Sequence, residues 1–277
     1  MRQFIGKVLF FCVLALIVVE VYPLYLLFTE KYKTQVDGKE TYVSIEKSKK
    51  KFKSKKVILG DSVARQMFSN LTFNDSINSL ACNQAISVAG QYILLQNYLD
   101  AGNRPEQVMM FYSPFSFGNN LDQVYTYHHF VKPFYRDYQE YFSPLVLEQI
   151  QKIPYIGFHR IPNILTSNWA PVYGIEEYKE PLSVSQVSVS YLQKIDSLSQ
   201  RYEFTFTLHP VPTKNSFQTL VNAFDKKAIE ENNLNHLFEG YFQEFVFVDD
   251  SKFKDKTHLK NPEEYTELLL KRYFSNP

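Results

Sequence analysis

Ser62 ends Leu59-Gly60-Asp61-Ser62, and His258 ends Asp255-Lys256-Thr257-His258 close to the other end of the chain. A serine hydroxyl is a poor nucleophile until a base takes its proton, and that base must be held in one tautomer. On a single turn, an aspartate three residues before a histidine reaches the far side of the ring. Ser62, His258 and Asp255 therefore have the types needed for nucleophile, base and orienting acid. Each segment has a plainer use. Gly-Asp-Ser is also an ordinary turn and helix cap, and Asp-x-x-His arises by chance. The pairing of the two segments, after the first and last strands, carries the chemical reading.

Those strands are short and apolar. Val57-Ile58-Leu59 is followed at once by a helical pattern from Ser62 to about Ser69. A weak strand is expected near Ala81–Ser87, and a helix over Gly90–Ala101. Gln107–Tyr112 is a third strand. A helix over 184–201, a strand over Glu203–Leu208 and a helix over about 215–233 follow. Phe245–Val248 is the fifth strand, and Pro262–Phe274 closes the chain as a helix with proline in its first turn. Apolar strands alternating with helices predict a parallel five-stranded sheet covered on both faces. Ligands of such sheets bind at the carboxyl ends of the strands. That edge is where Ser62, Asn83–Gly90, Ser113, Asn119, Asn120, His209, Asp249, Asp250, Asp255 and His258 fall.

With those blocks in place, the chain resembles the SGNH (GDSL-like) hydrolase superfamily. The likeness covers about 57–118 and 203–274, and Phe247-Val248-Asp249-Asp250-Ser251 looks like the family's final strand. It implies a flavodoxin-like three-layer α/β/α sandwich and serine ester chemistry without metal or organic cofactor. By the likeness Ser62 is nucleophile, His258 base then acid, and Asp255 its orienting group. The oxyanion donors carried over are the N–H of Val88 or Gly90 in the second block. In the third block they are Asn119, Asn120 or Ser116, because Ser113-Pro114-Phe115-Ser116 stands where the family has Gly-x-Asn-Asp. One missing donor costs about 10²–10³-fold in rate. A non-catalytic glycan-binding or scaffolding protein of the same fold is the alternative.

Residues 119–183 interrupt the alternation with Tyr125, Tyr127, His128, His129, Phe130, Phe134, Tyr135, Tyr138, Tyr141, Phe142, Tyr155, His159, Trp169 and Tyr173. These rings either stack on sugars or form a satellite core under a long excursion. His128-His129 has no further ligand at metal spacing, so no metal site is expected.

The 21 residues Val8–Phe28 are uncharged apart from Glu20 and follow Arg2 and Lys7. At ~1.5 Å per residue they match the ~30 Å core of a bilayer. No small-x-small cleavage site ends the run, so an uncleaved single-pass membrane anchor is expected over 1–30. Residues 31–56 carry ten lysines against Asp37, Glu40 and Glu46, and are expected to form a solvated stalk. The stalk could instead lie on anionic lipid or an acidic polymer. The domain 57–277 is then net −6, because the whole chain is +1. That balance excludes a global field for nucleic acid. Two cysteines exclude a disulfide scaffold.

The expectation is an anchored serine esterase or O-acyltransferase with its domain outside the cytoplasmic membrane, acting on acylated envelope polysaccharide. The resemblance also implies a multispanning membrane acyltransferase as partner. The lysine-rich stretch leaves a cytosol-facing lipid esterase as a further alternative.

Overall fold

The computed structural model describes residues 2–28, 39–68, 77–83, 86–151 apart from 122, 132, 133, 135 and 136, and 180–274. Tyr135, Tyr155, His159, Trp169, Tyr173, and Gln84 and Ala85 of the second block lie outside those residues.

The helices used below are α1 (Arg2–Phe28), α2 (Lys39–Ser48), α3 (Ser62–Phe68), α4 (Ser87–Asp100), α5 (Pro144–Gln151), α6 (Gln186–Tyr202) and α7 (Pro262–Phe274). The strands are β1 (Lys56–Gly60), β2 (Ile77–Ser79), β3 (Gln107–Tyr112), β4 (Thr205–Pro210), β5 (Thr213–Lys214) and β6 (Phe247–Val248). The chain is α/β, with a four-stranded parallel sheet in the order β2-β1-β3-β4.

Alternation along the strands separates two cores. Val57, Leu59, Val108, Met110 and Tyr112 face one side, with buried residues of α4 and α6. Ile58, Met109 and Phe111 face the other, against Val63, Met67 and Phe68 of α3 and Leu269 of α7. Every one of these strand residues is wholly buried. Truncating one, as in Leu59→Ala, costs about 2–5 kcal/mol. The order of β2, β1 and β3 puts β1 at the point where the chain's direction of progress across the sheet reverses. A crevice forms there at the carboxyl ends of β1 and β3.

The fifth expected strand does not extend this sheet. It is the shorter Phe247–Val248, and it pairs in parallel with β5. Pro210 and Pro212 have no N–H to donate, so the β4 ladder ends at the Tyr112–Pro210 pair. Pairing resumes beyond them, with Thr213 N–H on the Val246 carbonyl at 3.0 Å. The second strand lies at Ile77–Ser79 rather than Ala81–Ser87. The helix expected over 215–233 is three short pieces, Asn215–Phe217, Gln218–Asn222 and Lys227–Glu231.

Residues 39–56, expected to belong to a stalk, are part of the domain. In α2, Thr41, Ile45 and Ser48 are buried at helical spacing, and the helix packs on α4. Lys47 Nζ donates to the Ser79 carbonyl at 2.6 Å. The described half of the aromatic segment joins the main core as well, with Phe130, Phe134, Tyr138, Phe142, Val146 and Ile150 buried.

The first helix, α1, runs unbroken over 27 residues. Its described apolar side chains, from Phe4 to Val18, are exposed. Among the described residues no helix is long and apolar enough to cross a membrane.

Candidate active site

The turn from β1 into α3 is built to close tolerances. Gly60 has φ +154°, where an L side chain is strained, and a Cβ there would meet the Phe111 carbonyl and Ala64. Asp61 is buried, and its carboxylate collects four hydrogen bonds. Oδ1 accepts from the N–H groups of Val63 and Ala64 at 3.0 and 3.4 Å. Oδ2 accepts from Ser113 N–H at 2.7 Å and Ser116 O–H at 3.1 Å. Burial raises the Asp61 pKa and these four donors oppose the rise. Asp61 thus ties the first turn of α3 to the segment leaving β3. Ser62, between Asp61 and Val63, opens α3 at the carboxyl edge of the sheet.

His258 reaches this point from a small loop after β6. Phe253 and Leu259 bridge in antiparallel fashion and are both buried. Lys254 N–H donates to the His258 carbonyl at 2.9 Å, and Lys260 N–H to the Lys252 carbonyl at 2.8 Å. Leu259 N–H donates to Gln66 Oε1 at 3.2 Å. Gln66 is four residues after Ser62, so both project from the same side of α3.

Within that frame the three residues singled out in the sequence form one hydrogen-bonded chain. His258 Nε2 is 2.9 Å from Ser62 Oγ. His258 Nδ1 lies 2.9 Å and 3.1 Å from the two Asp255 oxygens. With the Nδ1 proton held by Asp255, Nε2 of the neutral ring is the acceptor for the Ser62 hydroxyl. Asp255 also accepts the backbone N–H groups of Thr257 and His258, at 2.9 and 2.8 Å. Partial burial works to raise its pKa, but these N–H groups and the imidazole outweigh it and leave the pKa below the ordinary value. Ser62 N–H has no acceptor among the described residues, whereas the next two N–H groups are taken by Asp61. One backbone donor therefore stands free at Ser62.

Of the other expected donors, Ser116 and Asn119 are engaged elsewhere. Ser116 O–H is spent on Asp61. Asn119 donates to Thr126 Oγ1 at 2.7 Å and accepts from Leu121 N–H at 2.9 Å. Asn120 Oδ1 accepts from Val187 N–H at 3.3 Å, in the first turn of α6. Val88 and Gly90 lie in the first turn of α4, where Val88 is wholly buried and a Cβ on Gly90 would strike Ile86.

Three residues were not singled out by the sequence. Gln91, wholly buried on the apolar side of α4, bonds both polar groups of Gly60. An amide one turn before Leu94 and Leu95 was the available signal. Gln66 offered none. Glu40 of α2 is the third, accepting from Asn83 Nδ2 at 2.9 Å. Burial pushes the Glu40 pKa up, but the Asn83 hydrogen bond and the charges of Arg65 and His129 bring it below the usual value. Arg65 follows Ser62 by one turn, so a charged cluster borders Ser62.

A narrow groove lined by Val63, Ser113, Phe115, Thr213, Lys214 and Thr257 begins at the sequence neighbours of Ser62 and His258. Among the described residues, no three His, Cys, Asp or Glu side chains group to hold a metal ion. No family model, curated protein or solved structure matches the chain.

Proposed function

We propose that the chain is a serine-dependent esterase or O-acyltransferase of the SGNH type, with Ser62 as nucleophile. The observation that carries this reading is the hydrogen-bonded chain from Ser62 through His258 to Asp255. Ser62 Oγ attacks an ester carbonyl as its proton passes to His258 Nε2. The carbonyl oxygen becomes an oxyanion, which Ser62 N–H is placed to meet. His258 then returns the proton to the departing alkoxide, leaving an acyl group on Ser62. Water or a second hydroxyl, deprotonated by His258, attacks that acyl-serine and regenerates the free serine. Asp255 holds the imidazole in one tautomer and stabilises its charged form.

The substrate proposed is an acylated envelope polysaccharide, with a multispanning membrane acyltransferase as partner. Both come from the family resemblance. The α/β sheet order supports a flavodoxin-like three-layer sandwich, with β6 as its fifth strand offset by the prolines. The apolar run Val8–Phe28 of the sequence supports a single-pass anchor, and the domain is proposed to face outward. Proteolysis of the domain from outside intact cells tests the facing, and protection there would favour the cytosolic lipid esterase.

A second reading, a non-catalytic glycan-binding scaffold, is favoured by one fact. The Asn119 amide is committed to Thr126 and to Leu121 N–H. Labelling the full chain with a fluorophosphonate and locating the adduct by mass spectrometry separates the two. Adduct on Ser62 that disappears in His258→Ala supports the enzyme. Absence of adduct, with a control esterase labelled alongside, supports the scaffold.

A further inference from the structure

Residues 49–56 place six lysines in eight positions. A solvated tether would leave their spacing undefined, but here the backbone is pinned to the domain. Phe52 N–H donates to Asn103 Oδ1 at 2.7 Å, and Asn103 Nδ2 donates to the Lys50 carbonyl at 2.9 Å. The Tyr98 hydroxyl donates to the Ser54 carbonyl at 3.3 Å, and the Phe52 ring stacks on Tyr98 at 6.1 Å. The ammonium groups therefore belong to a defined surface.

Some of that charge is used internally. Lys49 pairs with Glu46 and Lys55 with Glu106, while Lys56 lies over the Phe274 ring. Lys50, Lys51 and Lys53 are exposed and have no carboxylate partner among the described residues. Arg104 before β3 and Arg201 before β4 share this edge of the sheet, against Asp100 and Glu203. The position is the amino edge: Lys56 opens β1, and the opposite end of that strand leads into Ser62. The two poles stand roughly 20 Å apart, at about 3.3 Å per strand residue.

We infer that this basic pole docks on an anionic phospholipid surface and points the Ser62 edge away from the bilayer. The inference rests on α1 being the anchor, as proposed above. Ten residues, 29–38, separate α1 from α2, a reach of at most ~35 Å. With α1 anchored, that short tether keeps the domain beside the bilayer and lets the pole reach head groups, which favours lipid over a soluble acidic polymer. Three unpaired lysines, each worth about fivefold in affinity for an anionic surface, supply on the order of 10²-fold. Within a domain whose residues 57–277 are net acidic, this charge is segregated to the amino edge of the sheet.

The test uses the full chain in vesicles of neutral phosphatidylcholine, with or without phosphatidylglycerol. Lysine acetylation is then read residue by residue, with Lys226 and Lys227 as references. Lys50, Lys51 and Lys53 are expected to be several-fold protected only where phosphatidylglycerol is present. That protection should vanish at high salt, where the screening length shrinks to about 3 Å. Equal reactivity on both vesicles overturns docking. Protection by a soluble polyuronate but by neither vesicle also overturns it, and assigns the pole to an acidic polymer. Flotation with neutral vesicles reports separately on α1, so loss of the anchor and loss of docking are distinguishable. The triple change Lys50→Gln, Lys51→Gln and Lys53→Gln should abolish protection at the neighbouring Lys49 and Lys55 while fluorophosphonate labelling of Ser62 persists.

Discussion

The side-chain amide of Gln91 holds Gly60 by both polar groups of its backbone, accepting from its N–H at 3.0 Å and donating to its carbonyl at 2.8 Å. Gly60 is the residue at which the chain leaves β1 to turn toward Ser62, so a helix on one face of the sheet sets the start of that turn. Its carbonyl also accepts from Cys82 N–H at 2.9 Å, but its N–H has Gln91 alone among the described residues.

Gln91→Leu keeps the volume and strands that N–H. A buried unpaired donor costs about 1–3 kcal/mol, and the urea midpoint is expected to fall accordingly. An unchanged midpoint would mean the amide adds nothing to the turn.

Asp61→Asn should be worse. Whichever way the amide is turned, its NH₂ faces donors: Ser113 N–H and Ser116 O–H on one side, Val63 and Ala64 N–H on the other. The loss should be about 2–4 kcal/mol in unfolding free energy, because charge-assisted bonds are given up. A neutral or stabilising result would show that burial keeps Asp61 protonated.

For the proposed reaction, Ser62→Ala and His258→Ala should each lower ester turnover by at least ~10³-fold. Asp255→Asn should leave Ser62 in place yet cost about 10²–10⁴-fold, through loss of the tautomer that Asp255 holds. Steady-state hydrolysis of p-nitrophenyl acetate checks all three. Wild-type rates in Ser62→Ala would remove the serine mechanism outright.

His209 predicts an acid limb in stability. It is buried at the end of β4, 2.9 Å from Glu244 and packed against Phe111 and Tyr273, with Arg272 nearby. Burial lowers its pKa, the Glu244 carboxylate opposes that, and Arg272 adds to the lowering. The unfolded chain, with a histidine pKa of about 6.5, takes up a proton before the folded chain does. Stability from this group is full above about pH 6.5 and declines as pH falls toward the folded value. His209→Phe should flatten the urea midpoint between about pH 7 and 5. Identical slopes in mutant and wild type would assign the acid limb to other groups.

The site was legible where chemistry is local. Ser62 and the Asp255–His258 pair announce themselves through spacing, and the strands β1 and β3 through unbroken apolar runs. What escaped depends on tertiary partners. Ile77-Asn78-Ser79 is polar enough to look like loop, yet β1 pairs with it. In α2 a single isoleucine at Ile45 carries the buried face, beside Thr41 and Ser48, so the lysines that follow hid it. Asn119 and Asn120 sat at a plausible place for oxyanion donors, but an asparagine amide serves a backbone turn equally well. The prolines after His209 were visible, and their effect on the fifth strand follows from the missing N–H groups.

The hydrogen bond between Ser62 and His258 joins residues 196 apart in sequence. A growing chain therefore carries Ser62 without its imidazole partner until 196 further residues have been made. The order of synthesis thus delays the assembly of this contact, whatever chemistry the contact serves.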